Sequence, residues 1–498
     1  MSKTYQVFQS EQLALTKNNK SEWVYFSYLM IGTIFFLLYW QAETTMPLPV
    51  HFASLLGIGL GIFPLSRWLA NKRESLPMIE LVCLSLAIQY STPVYFQYNS
   101  VHLHSGDRSF DWDLQSQVLI IIAIGILTFS KSYSFCLSQF TKLSSFPQIY
   151  LRLAPTKITI FFAAGVILGI TVKLFNISTG LSLNEEGRII GTWQALISIM
   201  TAFSSVNLIL MIEYYYTDRL RGNLWFIILY GVIYINILLG LMSGMLEETI
   251  FPIVLLIVSY SQVKKKIPYR LIICGIALFM FLQPLKFAYR EKAFDFGNQE
   301  KLSIGAKINL WAGILSGNSA NTGEVGYEEQ FRVSMSRLDY YHQFVLVYDL
   351  CPTTIPYRFG ESYSYLIYAW IPRIVWPNKP FAQQSNIDFS LDYGVQSYEG
   401  ALTTMNGVGY LGEAYSNFGM IGVTLIMGAL GGFFAVLQTL LTHPESEGGR
   451  ALYLAIMVSC LNGIGSNLAA FIGGIVQLII INIILIKLFT IRKNSISK

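Results

Sequence analysis

Long apolar runs dominate the pattern of this chain. Twelve of them, at about 24–41, 49–70, 77–97, 116–134, 158–176, 192–215, 223–241, 246–262, 268–288, 418–441, 451–469 and 471–490, each read as a helix crossing a bilayer. A span needs roughly 20 mainly apolar residues to cross a hydrocarbon core about 30 Å thick. Between the ninth and tenth runs, over residues 289–417, short apolar clusters alternate with prolines, glycines and charges. Inside that interval "FRVSMSRLDYYHQFVLVYDL", 331–350, holds neither Gly nor Pro and reads as a helix. Arg332, Ser336, Asp339 and Gln343 recur on it at helical spacing as a polar stripe, beside a mostly aromatic face of Arg337, Tyr341, Phe344 and Tyr348. It is too short and polar for a span, so it is expected to lie on, or dip into, the outer membrane surface.

Charge fixes the orientation. With the N-terminus in the cytoplasm, Arg67, Lys72 and Arg73, then Lys142, Arg152 and Lys157, then Arg219 and Arg221 fall on the inner side. So do Lys264, Lys265, Lys266, Arg270, Arg450, Arg492, Lys493 and Lys498, whereas Arg108 and Arg188 are the exceptions in the short outer loops. Positively charged short loops stay inside, and long loops escape this rule. The chain thus divides into a nine-span bundle (1–288), a large extracytoplasmic region (289–417) and a C-terminal set of spans (418–498) ending in the cytoplasm.

Composition agrees: 53% of the 498 residues are hydrophobic and only 13% charged, against about a quarter in soluble domains. The expected fold class is an all-α polytopic membrane protein. No cleavage site follows a short N-terminal apolar core, so no cleaved signal is expected. Of five cysteines only Cys351 falls outside, which leaves no extracytoplasmic pair for a disulfide. The net charge of +5 belongs to the inner loops and implies no nucleic-acid partner. There is no Gly-rich phosphate loop and no dinucleotide fingerprint, which argues against an ATP-driven transporter. His102 and His104 with Asp107 offer a metal pair, but such a pair in a polar loop is more often solvated. "GIGLGIF" and "GALGGFF" are most simply close-packing positions between helices, and no inverted repeat is evident.

The candidate chemistry lies in the outer region. Lys286 and Arg290 sit four apart at the end of the ninth span, either snorkelling to headgroups or forming a phosphate clamp. In "GESYSYLIYAWIPRIVWPNKP", 360–380, an aromatic run is interrupted by Pro372, Pro377 and Pro380. Arg373 and Lys379 are expected there on a stiff, kinked segment near the headgroups. With Arg290, Arg332, Arg337 and Arg358 they would gather charge around an anionic lipid head, and a diphosphate suits such a site. Tyrosines such as Tyr341 serve equally as interfacial anchors or as platforms for a sugar ring.

"IPRIVWPNKP", with its Trp376, preceded by "FGESYSY" and followed by "GYLGEAYSNFGMIG", resembles the Wzy-type polymerases that build O-antigen, enterobacterial common antigen and related polysaccharides. The twelve-span layout, the "LKFAYR" ending and the late outer loop are similar too, over roughly residues 220–470. The resemblance implies a GT-C-like glycosyltransferase of the bacterial cytoplasmic membrane, working without metal, cofactor or nucleotide sugar. It would transfer a growing glycan from undecaprenyl diphosphate to a new lipid-linked repeat unit on the outer face. Implied partners are those lipid-linked oligosaccharides, membrane lipid, a chain-length regulator and a repeat-unit flippase. The chain departs from relatives in two places. "SGMLEETIF" has Glu247 and Glu248 where many carry a basic residue, and no His precedes the last outer Gly-x-x-Gly, where O-antigen ligases place one. Candidate bases for the acceptor hydroxyl are Glu413, favoured for its place just before the tenth span, Asp339, Glu361 and Asp392, with His342 as a neutral alternative. A ligase-like glycan transferase, or from another class a polyprenyl-linked glycan flippase, are the competing readings.

The topology is directly testable. In intact cells Lys265→Cys and Arg450→Cys are expected to resist a membrane-impermeant thiol reagent, while Ala320→Cys and Val395→Cys label. Labelling in the opposite sense would place the 289–417 region inside the cell.

Overall fold

A computed structural model of the chain describes residues 19–40, 46–70, 77–96, 100–103, 105–143, 146–179, 191–264, 266, 268–293, 303–316, 339–371, 375–376, 378–380, 383–403 and 406–490. Each of the twelve apolar runs overlaps a helix, although the helices Met78–Ser91 and Glu447–Asn462 end well before the 77–97 and 451–469 runs do. The first nine are α1 (Asn19–Trp40), α2 (Leu48–Ala70), α3 (Met78–Ser91), α4 (Trp112–Phe140), α5 (Ile158–Thr179), α6 (Gly191–Tyr216), α7 (Asn223–Ser243), α8 (Leu246–Lys264) and α9 (Tyr269–Ala293). The outer interval holds α10 (Ile304–Leu315), α11 (Tyr341–Leu350), two single turns α12 (Glu361–Ser364) and α13 (Leu366–Ala369), then α14 (Gln384–Asp392) and α15 (Tyr398–Thr403). Three long helices finish the chain: α16 (Gly409–Leu441), α17 (Glu447–Asn462) and α18 (Leu468–Lys487).

Among the described residues eight helices are long and apolar enough to cross a membrane, namely α1, α2, α4, α5, α7, α8, α16 and α18. The protein is a helical membrane protein. α3 and α17 have only 14 and 16 residues. α17 is apolar and buried on every side through Ala451–Val458, the property of a helix enclosed by others. The one sheet among the described residues is an antiparallel hairpin of β1 (Ser100–Leu103) and β2 (Gly106–Ser109), and a lone antiparallel bridge joins Leu153 to Thr490. Arg108, an apparent exception to the charge rule, ties this hairpin to Asp349 at the end of α11 through bonds of 2.8 and 2.5 Å.

The expectation for 331–350 needs correcting. Residues 331–338 lie outside the described residues, and α11 begins only at Tyr341, so Asp339 precedes the helix. Tyr341 and Phe344 are fully buried, and α11 packs into the bundle against α16 and α4. Tyr341 donates to Gln115 Oε1 on α4 at 2.9 Å, which secures its phenol inside the protein and not at a lipid interface.

The largest helix–helix contact joins α4 to α16. Gly431 makes it possible, since a Cβ there would run into the backbone of Phe129 and lie 2.9 Å from Tyr133 N. At the other end of the bundle, the segment before α5 stitches three helices together. Ile149 N donates to Leu440 O, Gly448 N to Leu151 O and Ala154 N to Phe489 O, all at 2.9 Å. Beside them the buried Glu447 accepts from Tyr214 and Arg219, and Arg450 donates to Glu213 at 2.6 Å. These cations are among those assigned to the inner side by charge alone.

Gly431→Ala is expected to lower the melting temperature of the detergent-solubilised protein markedly, because overpacking costs about 1–3 kcal/mol. Gly428→Ala, whose Cβ would meet only Thr128 Cγ2 at 3.4 Å, is expected to be neutral or mildly stabilising.

Candidate functional site

Three of the residues singled out by sequence, Glu413, Asp339 and His342, lie near the place where the N-terminal ends of α16 and α18 meet. α16 is broken at Phe418 and Gly419, whose φ is +61, so its first turns run at an angle to the membrane-crossing part. Glu413 lies on those first turns and is 2% exposed. Its Oε2 accepts from Leu468 N, the first amide of α18, at 2.6 Å. Asn467 caps the same helix, accepting from Ala470 N at 2.9 Å. A carboxylate at a helix N-terminus is favoured by the unpaired amides and the helix dipole, by about 1–2 kcal/mol together. Glu413 Oε1 has no partner of good hydrogen-bond geometry.

One turn later Asn417, fully buried, works as a hub. Its Nδ2 donates to Ser362 Oγ and to Glu413 O, both at 2.8 Å, and its Oδ1 accepts from Gly360 N at 2.8 Å. Arg358 N and Phe359 N add bonds to Ser416 O and Asn417 O. The 358–362 segment is thereby fixed along α16, and Tyr363 follows with its hydroxyl buried and lacking a partner.

A second group stands at the start of α11. Asp339 Oδ1 accepts from His342 N at 3.0 Å, as a helix cap does, and Asp339 Oδ2 lies 2.6 Å from His342 Nδ1. The carboxylate fixes the proton on Nδ1, which leaves the buried Nε2 as the lone-pair face, and no hydrogen-bond partner meets it. Tyr340 joins the two groups. It packs on Gly465, beside Tyr90 at 6.1 Å between rings, and Tyr90 lies within electrostatic reach of Glu413. Burial, and then the Asp339 charge, push the Tyr340 and Tyr341 phenols up, so both stay neutral donors.

The other expected site residues fare differently. Arg358 pairs with Asp392, whose side chain is half exposed. Lys379 is buried and turned inward, its Nζ donating to Ala369 O at 3.0 Å and Ile371 O at 2.6 Å, so it is not displayed at the headgroups. Trp376 is partly exposed and meets Tyr368 edge-on at 6.0 Å. Arg332, Arg337 and Arg373 lie outside the described residues, as do the side chains of Arg290, His102 and His104. No three His, Cys, Asp or Glu side chains gather as metal ligands among the described residues. Asn417, Ser362, Tyr363, Tyr90 and Asn467 escaped the sequence reading. One signal pointed to the place: Asn-Gly-x-Gly occurs twice, at 406–409 and 462–465, and the two loops touch where Gly407 faces Gly465 O.

The family described as "Domain of unknown function (DUF8712)" matches residues 167–494. The chain belongs to this family. The DUF8712 region takes in α11 to α18, and with them Asp339, His342, Glu413, Asn417 and both Asn-Gly-x-Gly loops, while Tyr90 on α3 lies outside it. No curated protein and no solved structure matches the chain.

Asn417→Leu is expected to destabilise the protein by about 2–4 kcal/mol, because it strands Gly360 N–H and Ser362 in a buried setting. A melting curve in detergent checks this; a midpoint equal to the wild type would remove Asn417 from its place as hub.

Proposed function

We propose that this DUF8712 protein is a Wzy-type glycan polymerase. It would join oligosaccharide repeat units carried on a polyprenyl diphosphate, at the outer face of a bacterial cytoplasmic membrane. In this reading the chain makes twelve spans, and the 289–417 region between the ninth and tenth faces outward in a GT-C-like arrangement. The observation that carries the reading is a group of buried polar atoms without hydrogen-bond partners, His342 Nε2, Tyr363 Oη and Asn386 Oδ1, gathered about the N-terminal ends of α16 and α18 where the buried Glu413 lies. Buried polar groups are normally satisfied, and a polyhydroxylated ligand supplies many donors and acceptors at once.

The geometry favours His342 over Glu413 as base. Glu413 already spends one oxygen on α18, whereas His342 Nε2 is oriented by Asp339 and uncommitted. The acceptor hydroxyl oxygen forms the new bond to the anomeric carbon as the bond to diphosphate breaks. The diphosphate leaves with the electron pair, and the proton passes to His342 Nε2, where Asp339 stabilises the imidazolium. Arg358, with Arg290, Arg332 and Arg337, would neutralise the departing diphosphate. Lys379 is left out of this clamp, since its ammonium serves the carbonyls of Ala369 and Ile371.

Reconstituted protein supplied with polyprenyl-diphosphate-linked repeat units is expected to produce a ladder of lengthening glycans. His342→Gln should lower the rate by about 10²–10⁴-fold with the melting temperature retained. Arg290→Ala should abolish the ladder, and Arg290→Lys rescue it poorly for want of the bidentate fork. Transfer of one preformed chain to another acceptor would indicate a ligase, and transbilayer movement with no new bond a flippase. Full activity in His342→Gln would return Glu413 to first place.

A further inference from the structure

The aromatic, proline-broken stretch has a path that its position between two spans does not suggest. Its two limbs are both anchored at the N-terminal end of α18. On the way in, Ser362 is bonded to Asn417, next to the Glu413 that caps Leu468. On the way out, Ser385 accepts from Asn467 Nδ2. Between these anchors the chain moves along α18. A Cβ on Gly473 would stand 2.6 Å from Ala369 Cβ, and Gln477 Nε2 donates to Ala369 O at 2.6 Å. Gln477 lies about two and a half turns into α18, about 13 Å beyond Leu468 along the axis. The descent of α12 and α13 from Ser362 to Ala369 covers a similar distance, roughly 10 Å at a helical rise of about 1.5 Å per residue. α18 has 20 residues and the highest mean hydropathy of the eight membrane-crossing candidates, 2.6.

We infer that residues 361–371 descend into the membrane beside α18 to about its midplane, that Ser385 is again at the α18 N-terminus, and that Ile367, Trp370, Val375 and Trp376 face lipid hydrocarbon. This does not depend on the glycan chemistry proposed above. Irregular backbone at membrane depth must find its partners within the protein. Here it does. The Ala369 carbonyl accepts from both Gln477 and Lys379, and Ile371 O accepts from Lys379. The Lys379 ammonium therefore sits at the C-terminal, negative end of a helical turn. Trp370 Nε1 donates to Ile367 O at 2.9 Å, so its indole N–H needs no water. Pro372, Pro377 and Pro380 carry no amide hydrogen to satisfy. Among the described residues of 365–376 the exposed side chains are all apolar: Ile367 is 76% exposed, Val375 73%, Trp370 45% and Trp376 42%. A loop in water would show a polar face here; hydrocarbon accounts for this one.

Site-directed nitroxide labelling of the full chain, cysteine-free and reconstituted in phosphatidylethanolamine–phosphatidylglycerol vesicles, tests the inference. Ile367→Cys and Val375→Cys are expected to collide with oxygen at least several-fold more than with a water-soluble nickel chelate. Glu361→Cys, at the mouth of the descent, should show the opposite preference. Nickel accessibility at 367 and 375 equal to that at 361 would overturn the proposal. Tryptophan fluorescence in brominated lipid gives an independent reading on a chain without new cysteines. The lipid-quenched fraction should fall when Trp370 and Trp376 are replaced by Phe, and an unchanged fraction would overturn it likewise.

Discussion

A backbone amide or carbonyl inside a bilayer has no water to turn to, and each one left unpaired costs several kcal/mol. Most of this chain meets that constraint by being helical. Among the described residues, backbone groups at the ends of α16 and α18 and in 358–371 are met by side chains. Glu413 and Asn467 hold the first amides of α18, Asn417 holds the segment beside α16, and Lys379 with Gln477 holds the apex carbonyls. The polar residues of this region are therefore structural before they are chemical.

That double duty shapes the site. Glu413 cannot be altered without disturbing α18, so a loss of activity at this position would not by itself identify a base. Asp339 and His342 form a more independent unit: the carboxylate caps α11 through one oxygen and orients the imidazole through the other. The groups between them are tyrosines whose hydroxyls stay protonated, which suits donation to neutral hydroxyls or phosphate oxygens more than proton abstraction. Cations in contact with the described part of the site are few, since Arg358 faces Asp392 and Lys379 faces carbonyls.

Small residues let these elements come close. Gly407 and Gly465 bring the two Asn-Gly-x-Gly loops into contact, Gly409 with φ of +69 makes room for the Tyr90 hydroxyl, and Gly473 admits Ala369 against α18. At the opposite end, Glu447, Arg219, Tyr214, Arg450 and Glu213 clamp α6 to α17. The bundle is thus tied at both ends by polar contacts and along its length by close packing.

The helical membrane class and the positions of the long described helices were legible in the sequence, because span length is a local property with long apolar runs to carry it. Glu413, Asp339 and His342 could be picked out as candidates in the same way. Their partners could not. Asp339 was read on a helical stripe with Arg332, yet it precedes α11 and holds His342; Lys379 was read as a headgroup cation, yet it points into the protein. Nothing local distinguishes a lysine that snorkels from one that satisfies carbonyls ten residues away, or an asparagine in a helix from one that fastens a segment 55 residues earlier in the chain. Those choices depend on which unpaired backbone groups the packed helices bring near each side chain, and only the tertiary structure sets that.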